Sequence, residues 1–381
     1  MEFKRFGDIV SIKKGKKIEQ VEKENNTIRY IQIDDLRNDN NLKYCNKDDS
    51  YITVNEKDIV IAWDGANAGT VGYGLNGAIG STLAKLEIND TEFNTIYCAL
   101  FLRSKFYYLR EKCTGATIPH LSRSSLEDLK LPKLNIDTQN KIVEILDKSQ
   151  ELIDKRKEQI ELLDELIQSR FLEMFGNINI NSKNWDIKKL SDTINIIGGY
   201  AFKSTEFVET GIPVLKIGNI NSGYFKNTNL MFWEEDEKLE RYLIKPGDLV
   251  MSLTGTVGKD DYGNVCIMGY EYNKYYLNQR NAKLDVVDEK VLSKIYLTYS
   301  LKVPEIKRRL TGISRGVRQA NISNKDILNL ELPIPPITLQ EEFANFVEKV
   351  NDIKSVLNKS LEQLNNNFDS LISRAFKGEL F

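Results

Sequence analysis

The sequence predicts a mixed α/β (α+β) protein with two similar domains and two long antiparallel helices that form a coiled coil. Three observations lead to this prediction. The segment Leu131–Gln139 recurs later in the chain as Leu332–Gln340. Each copy opens a long stretch whose apolar residues alternate at spacings of four and three, the pattern of a coiled-coil seam. The same series of short strand patterns precedes each copy. The chain is therefore an internal repeat, which predicts pseudo-twofold symmetry.

The repeat sets the predicted domain boundaries. Residues 1–135 form the first domain, and residues 136–178 form the first long helix, a spacer. Residues 179–336 form the second domain, and residues 337–381 form the second long helix. The 381 residues, of which 41% are hydrophobic and 28% charged, have an ordinary globular composition. A chain of this length can bury two separate cores.

Each domain is predicted to contain short strands bounded by turn residues. The stretch Ile28–Leu36 corresponds to Ile212–Ile220, and Lys57–Ala62 corresponds to Gly247–Ser252. Between the matched stretches the loops differ in length and content. Similar scaffolds with different loops indicate two different targets on one long ligand. Duplex DNA fits this description, because half-sites one helical turn apart are separated by about 34–36 Å.

Both long helices are predicted to start with similar signals and to continue as seams. Pro132 and Pro333 hold the approach to each helix extended. Asp137 or Thr138 can cap the first turn of the first helix, and Thr338 that of the second. Polar residues interrupt the two seams at different heptads, which favours packing of one helix against the other. These interruptions are Ser149, Arg156, Arg170 and Lys354. The apolar seam of the first helix consists of Ile142, Leu146, Ile153, Ile160, Leu163 and Ile167. That of the second consists of Phe343, Val347, Val350, Leu357, Leu361, Leu364, Phe368 and Leu371.

Composition narrows the class of protein. The four cysteines are scattered and there is one histidine, which argues against a zinc site or a disulfide framework. No apolar run reaches the roughly 20 residues that span a bilayer, and the first residues lack the apolar core of a signal peptide. We therefore expect a cytoplasmic protein without a metal, cofactor or membrane partner. The net charge is −2, with slightly basic domains and acidic helices. A polyanion would meet the domains, and a partner protein would supply much of the affinity.

Sequence-specific DNA contact needs side chains that reach base edges: Arg or Lys for guanine, Asn or Gln for adenine, Ser or Thr for either. The polar loops between matched strands supply such residues, and solvated loop polarity is the alternative interpretation of each. In the first domain the candidates are Lys13, Lys14, Lys16, Lys17, Asn67, Thr70, Ser81, Thr82, Thr117, His120 and Arg123. In the second they are Lys203, Thr254, Thr256, Gln279, Arg280, Asn281, Arg315, Arg318, Gln319 and Asn321. The four lysines are predicted to contact phosphate, because an ammonium group is a point charge.

The sequence predicts no catalytic role. It lacks the Asp/Asn-Pro-Pro-aromatic tetrapeptide of amino-methyl transfer and a glycine-rich cofactor loop after a strand. The stretch Gly255–Asp260 has neither the full spacing of a phosphate loop nor the Ser or Thr that follows its lysine. His120 corresponds to Asn321 in the second repeat, and asparagine cannot transfer protons. Hydrogen bonding is therefore the predicted use of this position.

Several of these stretches resemble the specificity subunits of type I restriction–modification systems. The resemblance rests on the Leu-Pro…Gln starts of both helices, on Ser169–Gly176, which closes the first, and on Ser373–Leu380, which closes the second. The order and duplication of these stretches cover nearly the whole chain. The first helix start departs from the pattern, with Leu134 and Asn135 in place of Pro335 and Pro336.

The resemblance implies a non-catalytic subunit that binds double-stranded DNA. Each domain would recognise one half of an interrupted target, and the helices would set the spacing. The helices would also dock two methyltransferase (M) subunits, which restriction/translocase (R) subunits would join. Two alternatives remain open: the specificity subunit of a related system with a fused methylase–nuclease, and a scaffold or decoy that holds such subunits without reading DNA.

Overall fold

The computed structural model describes residues 2–115, 117–312 and 319–380, except for the side chain of Gln319. The chain forms two compact units. One consists of Met1–Glu158 and Leu357–Phe381, and the other of Gln159–Val356. Each unit thus combines one globular domain with a part of each long helix. Within the described ranges, no helix is both long and apolar enough to cross a membrane.

The first domain contains two four-stranded sheets, with strand orders β2-β9-β6-β7 and β4-β3-β8-β5, and a two-stranded sheet β1-β10. Its strands are β1 (Phe3–Arg5), β2 (Val10–Lys14), β3 (Thr27–Ile31), β4 (Tyr44–Asn46), β5 (Thr53–Val54), β6 (Ile59–Ala62), β7 (Val71–Tyr73), β8 (Gly77–Ile79), β9 (Leu83–Ile88) and β10 (Lys130–Pro132). Its helices are α1 (Thr95–Ser104), α2 (Phe106–Glu111) and α3 (Arg123–Glu127), with 3-10 turns at Phe6–Asp8 and Asp34–Leu36. The first long helix, α4 (Ile136–Phe175), follows β10.

The second domain repeats these strand orders as β12-β20-β16-β18, β14-β13-β19-β15 and β11-β22, and adds the pair β17-β21. Its strands are β11 (Asp186–Lys189), β12 (Ile194–Gly198), β13 (Ile212–Leu215), β14 (Met231–Trp233), β15 (Leu243–Ile244), β16 (Leu249–Ser252), β17 (Thr254–Thr256), β18 (Val265–Ile267), β19 (Tyr275–Leu277), β20 (Asn281–Val286), β21 (Gln319–Asn321) and β22 (Glu331–Ile334). Its helices are α5 (Lys294–Lys302), α6 (Pro304–Thr311) and α7 (Asn324–Leu328), with 3-10 turns at Leu190–Asp192, Ser204–Glu206, Ile217–Asn219 and Glu237–Tyr242. The second long helix is α8 (Ile337–Lys377). The structure confirms the predicted internal repeat and the mixed α/β class.

Strand β6 shows why each domain folds around two cores. All four of its residues are buried. Ile59 and Ile61 face the core that contains helix α1, whereas Val60 faces the core of the second sheet. Successive side chains of a strand point to opposite faces, so a continuously apolar strand must be covered on both sides. Strand β16 repeats this arrangement in the second domain.

The long helices end where glycine permits a left-handed turn. Gly176 follows α4 and Gly378 follows α8, and both have a φ of 72°. Glycine adopts this conformation without a Cβ penalty and commonly terminates helices. The predicted helical segment to residue 178 therefore includes the turn after α4. At about 1.5 Å per residue, each helix is roughly 60 Å long.

The seam positions of α4 and α8 are covered. Of the predicted apolar positions, Ile142, Leu146, Ile153, Ile167, Phe343, Val347 and Val350 are buried. The remaining ones, Ile160, Leu163, Leu357, Leu361, Leu364, Phe368 and Leu371, are half-buried. In the unit that holds the first domain, the start of α4 shares a core with the end of α8. In the other unit, the end of α4 shares a core with the start of α8. The helices have the burial pattern of a coiled coil.

Two polar interruptions of the seam have partners on the opposite helix. Arg170 of α4 donates to Glu342 of α8 over 2.8 Å. Lys354 of α8 forms an ion pair with Asp164 of α4. Both pairs lie within the unit formed by residues 159–356. Charged residues are therefore accommodated in the seam by pairing rather than by exposure alone.

Candidate nucleic-acid interface

Backbone hydrogen bonds bring distant loops of the first domain onto one surface. The amide of Trp63 donates to the carbonyl of Thr82 over 2.8 Å, and the amide of Leu121 donates to the carbonyl of Trp63 over 2.8 Å. The amide of Gly15 donates to the carbonyl of Leu83, also over 2.8 Å. Residues 13–17, 63–70, 80–82 and 117–123 therefore form what we call the first loop surface. All eleven predicted contact residues of this domain lie in these four segments.

The second domain repeats the same hydrogen-bonded scaffold. The amide of Leu253 donates to the carbonyl of Arg280 over 2.8 Å, and the amide of Ile322 donates to the carbonyl of Leu253 over 2.8 Å. The amide of Gly199 donates to the carbonyl of Asn281 over 3.3 Å. Residues 199–203, 253–256, 278–281 and 319–322 form the second loop surface.

Equivalent positions on the two loop surfaces carry different side chains. Strands β17 and β21 pair Thr254 with Asn321, and in the first domain an isolated bridge pairs Asp64 with His120. The shared hydrogen bonds also make Thr82 equivalent to Arg280. A carboxylate and an imidazole in one domain are thus replaced by a hydroxyl and an amide in the other. The scaffold repeats while its chemistry changes.

Asp64 is the centre of an ionic cluster on the first loop surface. Its carboxylate lies 2.7 Å from Lys14 Nζ and 2.7 Å from His120 Nδ1. The Asp64 side chain is 15% exposed, whereas those of Lys14 and His120 are each 50% exposed. Burial raises the pKa of the Asp64 carboxyl, but the hydrogen bonds from Lys14 and His120 outweigh it and lower the pKa overall. Loop polarity and the repeat predicted Lys14 and His120 as contact residues but gave no signal for Asp64, which joins them.

Two further arginines missed by the sequence analysis support this surface. Arg37 donates from Nη2 to Oδ1 of Asn67 over 2.7 Å. Arg110 of α2 donates from Nη1 to the carbonyl of Gly65 over 3.4 Å. Both arginines come from segments outside the matched loops, so the repeat pattern gave no signal for them. They hold the loop at residues 63–70 from its flanks.

The other predicted residues of the first domain differ in whether their side chains are paired, half-buried or exposed. Lys13 pairs with Glu87 over 3.2 Å, and Arg123 pairs with Glu127 over 2.7 Å, one turn along α3. Thr70 is half-buried. Lys16, Lys17, Ser81, Thr82 and Thr117 are exposed. The exposed set gives the first loop surface both cationic and hydroxyl groups.

On the second loop surface, Gln279 and Arg280 are exposed side by side. Among the described residues, the guanidinium of Arg280 has no ion pair. Thr256 is engaged with Asp261, to which its backbone amide and its hydroxyl donate over 2.8 and 2.9 Å. The backbone hydrogen bond is the main cause of the lowered pKa of the Asp261 carboxyl. Lys203 is exposed and pairs with Glu206 over 3.0 Å, and Thr254 is half-buried.

Asn281 corrects the sequence analysis. Its side chain is completely buried, and Nδ2 donates to the carbonyl of Leu215 over 2.8 Å. It therefore links β20 to β13 inside the domain and cannot reach a base edge. Arg315 and Arg318 lie outside the described residues, and Gln319 is described only by its backbone in β21. Asn321 is exposed at the end of the same strand.

Comparison with known proteins identifies the family. A family model described as "Type I restriction modification DNA specificity domain" matches residues 1–162 and, a second time, residues 182–366. The chain belongs to the type I restriction–modification DNA specificity family. Each match covers one domain together with part of the long helix that follows it. The resemblance found in the sequence is confirmed.

The similarity of this specificity-family chain extends along nearly its whole length. It is 28% identical to the type I restriction enzyme MjaVIII specificity subunit of Methanocaldococcus jannaschii, over 94% of this chain and 88% of that protein. It is 22% identical to the type I restriction enzyme EcoBI specificity subunit of Escherichia coli, over 86% of this chain and 74% of that protein. The crystal structure of the S subunit of a type I restriction–modification system from M. genitalium shares the fold, with a TM-score of 0.55. That match is 17% identical and covers 98% of this chain and 95% of that one.

Proposed function

We propose that this chain is the DNA-reading, non-catalytic specificity subunit of a type I restriction–modification complex in the cytoplasm. Each domain binds one half of a bipartite duplex target through its loop surface. The long helices dock two methyltransferase subunits, and the restriction/translocase subunits join that complex. The observation that supports this proposal is the repetition of one hydrogen-bonded loop scaffold with different side chains. One scaffold with two chemistries suits two half-sites of different sequence.

The second loop surface has the side chains that discriminate purines. An arginine pairs with guanine O6 and N7 through two parallel hydrogen bonds, and asparagine or glutamine pairs similarly with adenine. Arg280 and Gln279 are exposed and adjacent in sequence, and Asn321 is exposed on β21, which pairs with β17. We therefore propose these three residues as base contacts of the second domain, with Lys203 and Thr256 at the periphery.

The first loop surface suits different bases. A carboxylate accepts hydrogen bonds from exocyclic amino groups such as that of cytosine. Asp64 is ionised and held between Lys14 and His120, so its remaining lone pairs are the acceptors available to a base. We propose Lys13, Lys16 and Lys17 as phosphate contacts, which position the duplex without reading its sequence. Ser81, Thr82, Thr117, Asn67 and Arg123 complete the proposed contact set.

The proposal is tested by the methylation pattern that the chain directs. The full chain is co-expressed with its cognate methyltransferase in a host that lacks its own methylation, and modified bases are mapped by long-read sequencing. We expect one two-part motif separated by a gap of fixed length. A continuous motif, or a complex that forms but methylates and protects no DNA, would contradict the proposal. The latter outcome would favour a scaffold or decoy.

Affinity purification of the same complex tests the partner assignment. Separate methyltransferase and restriction subunits are expected to accompany the chain. Recovery of one polypeptide that contains both methylase and nuclease regions would instead place the chain in a related system with a fused enzyme. The two results differ in subunit mass and are distinguished on a denaturing gel.

A further inference from the structure

The start of each long helix contains a glutamine whose polar atoms are all used inside the protein. Gln139 of α4 and Gln340 of α8 are both completely buried. The Gln139 carbonyl accepts from the amide of Asn94 over 2.8 Å, and its Nε2 donates to the carbonyls of Glu92 and Leu134, each over 2.8 Å. A glutamine amide has two donor hydrogens and one acceptor oxygen, and each is satisfied here.

Gln340 makes the same three hydrogen bonds in the second domain. Its carbonyl accepts from the amide of Ser293 over 2.8 Å. Its Nε2 donates to the carbonyls of Val291 and Pro335 over 3.0 and 2.7 Å. Ser293 is the N-cap of α5, just as Asn94 is the N-cap of α1. Each glutamine therefore ties a long helix to the N-terminal end of a domain helix and to the short segment that joins the preceding strand to the long helix.

A buried tyrosine adds a second link of the same kind. Tyr97 of α1 donates from its hydroxyl to the carbonyl of Pro132 over 3.0 Å, and Tyr296 of α5 donates to the carbonyl of Pro333 over 2.7 Å. Both tyrosines are completely buried. The ring of Tyr97 contacts Phe376 at the end of α8, with centroids 5.3 Å apart. Tyr296 contacts Phe175 at the end of α4, with centroids 4.7 Å apart.

We propose that Gln139 with Tyr97, and Gln340 with Tyr296, are positioning residues that fix the angle between each domain and its long helices. We call each pair a clamp. Apolar surfaces alone tolerate small rotations, whereas buried hydrogen bonds have one satisfied geometry and a high cost when broken. The two clamps use identical atoms, although the loop surfaces of the same domains have diverged. This inference rests on the proposed function, because the angle then determines the gap between the two half-sites.

The experiment measures gap length rather than activity alone. Gln139→Met keeps the length of the side chain and leaves the amide of Asn94 and the carbonyls of Glu92 and Leu134 unpaired. The variant chain is co-expressed with its methyltransferase, and methylated sites are sorted by gap. We expect both half-motifs to persist, while sites whose gap differs by one base pair rise about tenfold or more, because three hydrogen bonds are lost and one alone accounts for about a factor of ten. Gln340→Met is expected to have the same effect. Gln150→Met, which removes an amide that binds Asp154 on the same helix, is the matched control.

A second variant separates positioning from folding. Tyr97→Phe removes one hydroxyl and leaves the packed ring. We expect it, too, to raise the number of methylated sites whose gap differs by one base pair. If Gln139→Met does not fold, Tyr97→Phe decides alone. A wild-type motif with a fixed gap, together with an unchanged gap in the folded clamp variants, would overturn the inference and leave the proposed function intact. A wild type without a two-part motif would overturn both.

Discussion

At the scale of single residues, the two loop surfaces differ in how their polar groups are held. Asp64, Lys14 and His120 are locked together by two contacts of 2.7 Å. Arg280 and Gln279 are exposed on the second loop surface. A pre-organised carboxylate loses little conformational freedom on binding, whereas a free arginine is ordered by the base that it contacts. The residues therefore predict different consequences of substitution in the two domains.

Replacing Arg280 with alanine tests the second domain. A bidentate arginine contributes about 1–3 kcal/mol of discrimination against the wrong base. We expect Arg280→Ala to relax one or two positions in a single half of the methylated motif and to leave the other half unchanged. Long-read methylation mapping provides the measurement. Arg308→Ala, in which an arginine paired with Glu305 on α6 is removed, is the control. Relaxation of both halves, or of neither, would remove Arg280 from the interface.

Replacing Asp64 with asparagine tests the ionic cluster through stability. The folded-state pKa of Asp64 is lowered, so its stabilising contribution is present above the unfolded-state value of about 4 and is lost as pH falls through the folded value. We expect Asp64→Asn to reduce the free energy of unfolding by about 1–2 kcal/mol at pH 7. The difference from the wild type should shrink as the pH is lowered below about 4.

Urea titrations of Asp64→Asn and of the exposed control Asp49→Asn at several pH values provide the measurement. If the difference in the free energy of unfolding between the wild type and Asp64→Asn stays constant with pH, the charge of Asp64 does not contribute to folding. A loss in Asp49→Asn equal to that in Asp64→Asn would assign the effect to net charge rather than to the cluster.

At the scale of elements, the long helices are the part of the molecule that the sequence predicted best. Each seam position repeats at four-three spacing, and burial follows that spacing because one face of each helix is covered along its length. Their ends were also predictable from Gly176 and Gly378. The strand pairing of each domain was less accessible. Strands β3 and β8 pair in parallel, although a long intervening segment separates them, and periodicity carries no information on such pairs.

The packing of Phe343 tests the helix seam. This residue is completely buried. The centroid of its ring lies 5.4 Å from those of Phe171 and Phe175, which belong to the last turns of α4. We expect Phe343→Ala to cost about 3–5 kcal/mol in the free energy of unfolding, because it leaves a cavity in this aromatic cluster.

Ile353→Ala on the same helix is the control, since Ile353 is 51% exposed and should change stability by less than about 0.5 kcal/mol. Chemical denaturation followed by circular dichroism compares the two variants. Equal effects would contradict the seam assignment.

At the scale of the whole molecule, the candidate interface depends on contacts between residues that are far apart in sequence. The cluster of Lys14, Asp64 and His120 draws on three separate segments, and only the repeat made two of its members visible in the sequence. Asn281 was misassigned for the related reason that polarity in a loop does not reveal which way a side chain points. Matched positions in an internal repeat identify a shared scaffold. They do not distinguish a residue that holds a loop in place from a residue whose side chain is available to a ligand.

The charge of the whole chain predicts its response to salt. The net charge is −2, so we expect phosphate contact to be confined to local groups such as Lys16 and Lys17. Each lysine–phosphate contact contributes about one to the slope of log affinity against log salt. Replacing both lysines with glutamine should lower that slope by about two for the complex with methyltransferase, without changing the motif.

Fluorescence anisotropy across a salt series measures this slope. The control replaces Lys148 and Lys155 with glutamine, because these exposed lysines of α4 pair with Glu144 and Glu151 within the helix. An equal fall in slope for both double variants would show that the effect of Lys16 and Lys17 is not local.

The loop surfaces are held by main-chain hydrogen bonds, such as those from Trp63 to Thr82 and from Leu253 to Arg280. Main-chain groups are the same whichever side chain a residue bears, so a point mutation at Thr82 or Arg280 leaves these bonds in place. Under the proposed function, we therefore expect single substitutions at Thr82 or Arg280 to change the recognition sequence without unfolding the domain.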